Sequence, residues 1–351
     1  MKKILFLFLA ALFITGCAVS YDNPPTEEKN TNLDILTLFS SKSVSKNKAW
    51  IGTFQLVFND MKNEILKLKK VEFEGEKPTN DLIGLNNEEF KSSMLNPDSY
   101  YKSYGETSPE AKETIKKEIK EKFNETSDII DDLDWHEEKG RYYAYAMLKK
   151  QFEFLKEFDK LEPQSFNNSE EKYNFFGIEN KSDSKLDKNI KVLFYNSEND
   201  YAIQLLTKND DIVYLYRTES NDSFDKIYNK MLNDRNNYKK GHEFNEIDTF
   251  KAPNLKFKSK RRYDELCNKI IKGTDSYFSA ALETIQFELD NKGGKVKSEA
   301  ILMLDNAVAF SDIPEPRHFN FDKTFVIFLA DKGKTDPYMA LRVEDLKNLT
   351  K

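Results

Sequence analysis

Residues 281–294 read ALETIQFELDNKGG, and residues 314–343 read PEPRHFNFDKTFVIFLADKGKTDPYMALRV. Ala281–Leu289 is rich in apolar and β-prone residues and reads as a strand. Phe319–Ala330 and Tyr338–Val343 read as two apolar strands around the turn Asp331-Lys332-Gly333-Lys334, and are expected to pair. Strand 281–290 is expected at the centre of a large mixed or antiparallel sheet. Between these strands lies Asp290–Arg317, DNKGGKVKSEAILMLDNAVAFSDIPEPR. It opens on the pair Gly293-Gly294, ends in prolines and shows no helical period. A loop this long inside a compact domain is uncommon and usually functional.

Upstream, the pattern changes from helical to β. Segments 33–40 and 50–69 suggest helices. Ser108-Pro109 followed by EAKETIKKEIKEKF is a helix start: serine caps, proline suits the first position, and Ile115, Ile119 and Phe123 form one apolar stripe. Arg141–Phe154 reads as a strand. Ile190–Tyr195, Tyr201–Leu206 and Ile212–Arg217 are β-rich runs separated by Asn-Asp turns, a meander. Ser223–Leu232 looks helical, Leu255–Phe257 a strand, and Arg262–Lys272 a helix. Helices early and antiparallel strands late make the class α+β.

The N-terminus, MKKILFLFLAALFITGC, has the parts of an export signal. Lys2 and Lys3 are followed by an apolar run, Ile4–Phe13, too short to span a bilayer comfortably, and then by small residues before Cys17. The arrangement resembles a bacterial lipoprotein signal, which implies acylation of Cys17 and loss of residues 1–16. Residues 17–32, with Pro24-Pro25, read as a polar tether, and 33–351 as a single domain. The expected location is the extracytoplasmic face of a cell membrane.

Composition excludes several function classes. Net charge is −6, with 54 basic and 60 acidic residues interspersed, which argues against nucleic-acid binding. The densest basic run, Lys256–Arg262 (KFKSKRR), reads as a solvated strand edge. Cys17 and Cys267 are the two cysteines of the sequence; with Cys17 acylated no disulfide forms, and Cys267, in LCNKII, reads as a buried structural thiol. His136, His242 and His318 stand apart, and His136-Glu137-Glu138 lacks a second metalloprotease histidine. Asp128, Asp131, Asp132 and Asp134 lack calcium-loop spacing. No metal, no cofactor and no catalytic residue is expected.

The order of the C-terminal parts resembles the serpin superfamily over about 245–345. The carriers are ALETIQFELDNKGG, the proline-containing segment, and Phe321, Asp322, Lys323, Phe325, Ile327 and Phe328, with Thr324 where that family usually has proline. The resemblance implies a serpin-like α+β fold, large mainly antiparallel sheets and a long exposed reactive loop. It also implies a suicide inhibitor of an extracellular serine or cysteine protease, monomeric and not itself an enzyme, with loop 294–313 as bait. The loop hinge is Gly293, Gly294, Val296, Ser298 and Ala300. If residues from Gly294 onward enter a sheet, Gly294, Val296, Ser298, Ala300, Leu302 and Leu304 share one face, and Lys295, Lys297, Glu299, Ile301 and Met303 the other. The opposite register would bury Lys295 and Lys297. Counting from Gly293 puts the scissile bond near Ala307-Val308, and counting back from Pro316 puts it near Asp312-Ile313. KVKSE is bulkier than the alanine-rich hinge of family inhibitors. A non-inhibitory serpin-like protein, or another surface lipoprotein acting as a ligand-binding or adhesion module, stays open.

If Cys17 carries the anchor, Cys17→Ala releases the protein from membranes or leaves an unprocessed precursor, since each buried methylene of an acyl chain contributes about 0.8 kcal/mol. Labelled palmitate entering mutant and wild type equally contradicts it.

Overall fold

In the computed structural model, which describes residues 33–350 except 128, 179–185, 209–210, 296–314 and 335, strands dominate. The first third holds β1 (Leu33–Ile35), β2 (Asn47–Ile51), α1 (Thr53–Asp60) running into a π-helical turn at Met61–Ile65, α2 (Asn80–Asn87), β3 (Tyr100–Glu106) and α3 (Pro109–Phe123). Next come β4 (Tyr142–Leu148), β5 (Phe152–Glu153), β6 (Asp159–Ser165), β7 (Lys172–Ile178), β8 (Ile190–Ser197), β9 (Asp200–Leu205), β10 (Asp211–Arg217) and α4 (Phe224–Asn237). The chain closes with β11 (Thr249–Pro253), β12 (Leu255–Arg262), β13 (Leu282–Leu289), β14 (Gly293–Gly294), β15 (His318–Asn320), β16 (Phe325–Asp331) and β17 (Pro337–Val343).

These strands form a seven-stranded sheet, β1-β2-β17-β16-β10-β9-β8, two four-stranded sheets, β15-β11-β7-β6 and β12-β13-β14-β5, and a ribbon, β3-β4. The meander β8-β9-β10 and the pair β16-β17 are antiparallel, as their turns require. Every residue of β16 and β17 is buried, because both faces of the large sheet are covered. On one face α4 brings Tyr228 to 5.0 Å from the Phe328 ring. On the other, Phe325 meets Phe321 at 5.5 Å and Phe166 at 6.2 Å. A second aromatic cluster, Phe154, Phe158, Phe176 and Phe250, fastens β5 to the β11-β7-β6 sheet.

α3 starts as its sequence predicts. The Ser108 hydroxyl accepts from the Ala111 amide, Pro109 is the first residue, and Ile115 and Ile119 are buried against Trp135 and Tyr145. Five expectations need correction. Leu33–Ile35 is a strand, paired in parallel with β2; a short apolar run carries no period long enough to separate the two states. The helix expected over 50–69 starts only at Thr53, because Trp50 belongs to β2. Arg262–Lys272 is not a helix: only a 3₁₀ turn, Asp264–Leu266, forms, and Asn268 then takes a left-handed φ of 58°. Phe319–Ala330 is two strands in different sheets, and Arg141–Phe154 breaks into β4 and β5.

The second break has a visible cause. Lys150, buried between β4 and β5, places its ammonium on Asp211 of β10 and Asp331 of β16, 4.5 Å over the Tyr338 ring. The Tyr338 hydroxyl donates to Asp211 at 3.0 Å, and the Asn96 amide donates to Asp331 at 2.9 Å. This pins the β4–β5 joint to the seven-stranded sheet. Lys150→Met leaves two buried carboxylates without their cation. It should cost about 3–5 kcal/mol in urea unfolding; a cost below about 1 kcal/mol contradicts the pin.

Candidate functional site

β12 and β13 pair over their full length, Leu255↔Leu289 to Arg262↔Leu282. After Leu289 the chain turns on Asp290, whose Oδ1 accepts from the Lys292 and Gly293 amides while its own N–H donates to the Gly293 carbonyl at 2.9 Å. Gly294 then pairs antiparallel with Leu289 of β13, and Gly293 and Gly294 pair antiparallel with Glu153 and Phe152 of β5. Being antiparallel to the same neighbour, β13 and β5 run parallel to each other. The two glycines are thus the start of a strand set between parallel strands.

Only glycine fits there. Gly293 has φ 150°, and a Cβ on it would stand 2.1 Å from the Phe152 carbonyl oxygen. A Cβ on Gly294 would meet the Phe152 ring at 2.5 Å and the Glu288 carbonyl oxygen at 2.8 Å. Gly294 lies opposite the core residue Leu289 and so on the buried face. Asn291 completes the root: its carbonyl accepts from the Phe158 amide at 2.8 Å, and its side-chain amide donates to the Phe158 carbonyl at 3.2 Å. Lys295 stands 3.8 Å from Glu288. Below this root, among the described residues, no ladder joins β13 to β4. α1 packs against both.

Arg317 fixes the other side of the segment 296–314. Its guanidinium pairs with buried Asp248 at 2.7 Å and donates to the Gly241 and Glu243 carbonyls. β15 then joins β11 in parallel over three residues.

Of the residues singled out in the sequence, Gly293 and Gly294 are brought together at this root. Cys17, Val296, Ser298, Ala300, Ala307, Val308, Asp312 and Ile313 lie outside the described residues. Cys267 is buried, its thiol 3.4 Å from the Tyr263 carbonyl. Burial pushes that thiol's pKa up, away from reactivity. Lys256, Lys258, Lys260 and Arg262 are exposed along β12, the outer strand of its sheet, and alternate with buried Leu255, Phe257 and Ser259. His136 bonds exposed Asp134 and Glu138, Asp131 pairs with Lys112 and Lys116, and Asp132 pairs with Lys260. His242 meets the Val192 carbonyl, and His318 meets Thr249. Among the described residues no group of three His, Cys, Asp or Glu side chains could hold a metal ion. Asp128 lies outside the described residues.

Sequence reading passed over Asn291, Arg317 and Glu283. The Glu283 carboxylate is buried on β13, where it accepts from the Thr53 hydroxyl at 2.8 Å, the Phe54 amide at 3.1 Å and the Tyr263 hydroxyl at 2.7 Å. Burial, opposed by these bonds, holds its pKa at about 7. The signal was present: residue 283 is in phase with Ile285, Phe287 and Leu289, so a strand reading sends a carboxylate inward.

Gly294→Ala should cost about 1–3 kcal/mol by urea unfolding, because Phe152 must yield, whereas Gly241→Ala, with open space around it, should stay within about 0.5 kcal/mol. Equal costs contradict the packing at the root.

No family model and no curated protein matches the chain. Solved structures to which it is similar include the following three. Thyroxine-binding globulin in complex with thyroxine has 11% identity and a TM-score of 0.43, over 68% of this chain and 65% of that one. Serpin48, a highly specific serpin of the insect Tenebrio molitor, has 12% identity and a TM-score of 0.40, over 73% of this chain and 79% of that one. Mouse protein-Z dependent protease inhibitor has 14% identity and a TM-score of 0.41, over 68% and 63%. This chain therefore spans just under two thirds of the globulin and of the mouse inhibitor.

Proposed function

We propose that the chain is an extracytoplasmic, lipid-anchored serpin-like protein that inhibits a serine or cysteine protease by presenting residues 294–313 as bait. One observation supports this above the others. Gly293 and Gly294 already occupy strand positions between parallel β13 and β5, and no ladder joins β13 to β4 below them among the described residues. A segment that starts inside a sheet, in an antiparallel direction, can continue there once its far end is free. Cleavage frees it, because Arg317 and β15 keep the C-terminal end fixed.

In this reading the protease nucleophile attacks the scissile carbonyl, and the new amine leaves on the Arg317 side. The N-terminal part of the segment then runs down between β13 and β4. Each ladder hydrogen bond gained stabilises the cut protein, and apolar side chains leave water. Val296, Ser298 and Ala300 follow Gly294 onto the buried face by strand alternation. Lys295, which stands near Glu288 on the exposed face, fits that register.

The experiment is thermal unfolding before and after limited proteolysis in the window 304–313. At about 1 kcal/mol per ladder hydrogen bond over about ten bonds, and about 1.5–2 °C per kcal/mol for a domain of this size, a strand reaching Leu304 should raise Tm by roughly 15–20 °C. Val296→Asp should suppress the rise by burying an unpaired carboxylate, and Lys297→Asp should keep most of it. An unchanged or lowered Tm contradicts insertion and favours a binding or adhesive lipoprotein.

A further inference from the structure

Helix α1 is held at both ends by carboxylates. At its C-terminal end Asp60 pairs with Lys102 of β3 at 2.6 Å. At its N-terminal end Glu283 of β13 takes the Thr53 hydroxyl and the Phe54 amide, one of the amides that a helix start leaves without an internal partner. α1 therefore lies as a strut across the boundary between β13 and the β3-β4 ribbon, which no ladder joins among the described residues.

The two carboxylates differ in their counter-charge. Asp60 has an ammonium, while the contacts that reach Glu283 are uncharged: the Thr53 and Phe54 donors from α1, and the Tyr263 hydroxyl from the turn after β12. The cation that acts on it is Arg261, the cross-strand partner of Glu283 on β12. Its guanidinium is turned to the Ile35 carbonyl and Glu265, and stacks 4.2 Å over the Tyr263 ring. Glu283 itself is 4% exposed. Enclosure, with no cation directed at the carboxylate, disfavours its ionised form more than the three neutral donors favour it.

We propose that Glu283 is a proton-operated latch between β13 and α1, which keeps the junction closed when neutral and favours an opened junction when ionised. The sign follows from linkage. Closed, the carboxyl has a pKa of about 7; opened to water, it returns towards its ordinary 4.5. Opening therefore releases a proton across the interval between these values and becomes more favourable as pH rises through it. From pH 5 to pH 8 the opening equilibrium should increase on the order of 50- to 100-fold. If residues after Gly294 enter beside β13, as proposed above, the same proton sets how readily they do so; the latch itself does not rest on that reading.

Hydrogen exchange of the full-length, uncleaved protein tests it, read by mass spectrometry on the segments 53–60 and 282–289 and corrected for the intrinsic pH dependence of amide exchange. The wild type should lose protection in both segments from pH 5 to pH 8. Glu283→Gln, a neutral side chain of the same size, should hold its pH 5 protection up to pH 8, while α3 exchanges alike in both proteins. A wild-type profile that is flat, or steepens towards acid, overturns the latch without reference to any variant. So does a pH dependence that survives in Glu283→Gln. A flat profile alongside a large Tm rise on cleavage removes the latch and keeps the insertion. A steep profile with no rise does the reverse.

Discussion

No side chain fits at residues 293 and 294. Backbone from Phe152 and Glu288 closes on them from two sides, within 2.1 Å and 2.8 Å of where their Cβ atoms would stand. That close approach is possible because two consecutive glycines follow the Asp290 turn, and it places the start of a new strand between β13 and β5. The segment that follows thus leaves from inside a sheet. Everything proposed for function depends on that departure point.

Around it, two sets of ion pairs fix the neighbouring elements. Lys150 ties the β4–β5 joint to the seven-stranded sheet through two aspartates, and Arg317 ties the far side of the segment to Asp248. The Lys150 cluster is buried, and Arg317 is held through several hydrogen bonds against a fully buried Asp248 carboxylate, surroundings in which internal charges fix a geometry. Glu283 is the counter-example. It joins α1 to β13 with no cation directed at it.

Much of the architecture was legible in the residues. The meander of β8, β9 and β10, the start of α3, the pairing of β16 with β17 and the interior position of β13 follow from alternation, capping and turn chemistry. Short segments were not legible. Leu33–Ile35 gained its state from pairing with β2, and Arg262–Lys272 lost its helix to bridges such as Cys267↔Phe278 and Ile270↔Tyr277. Those partners are remote in sequence or lack a period, so local pattern cannot supply them. At the site the glycine pair was readable, whereas Phe152, which shapes the space around it, lies far upstream. Glu283 was readable from strand phase, and its partners Thr53 and Tyr263 were not.

The most direct measurement is a crystal structure of the chain after cleavage in the window 304–313. The expected result is a continuous ladder from Gly294 downward between β13 and β4, with Val296, Ser298 and Ala300 on the core face and β4 moved away from β13. A cleaved structure in which no residue after Gly294 pairs with β13, and β13 and β4 stand as they do in the intact chain, would contradict the insertion.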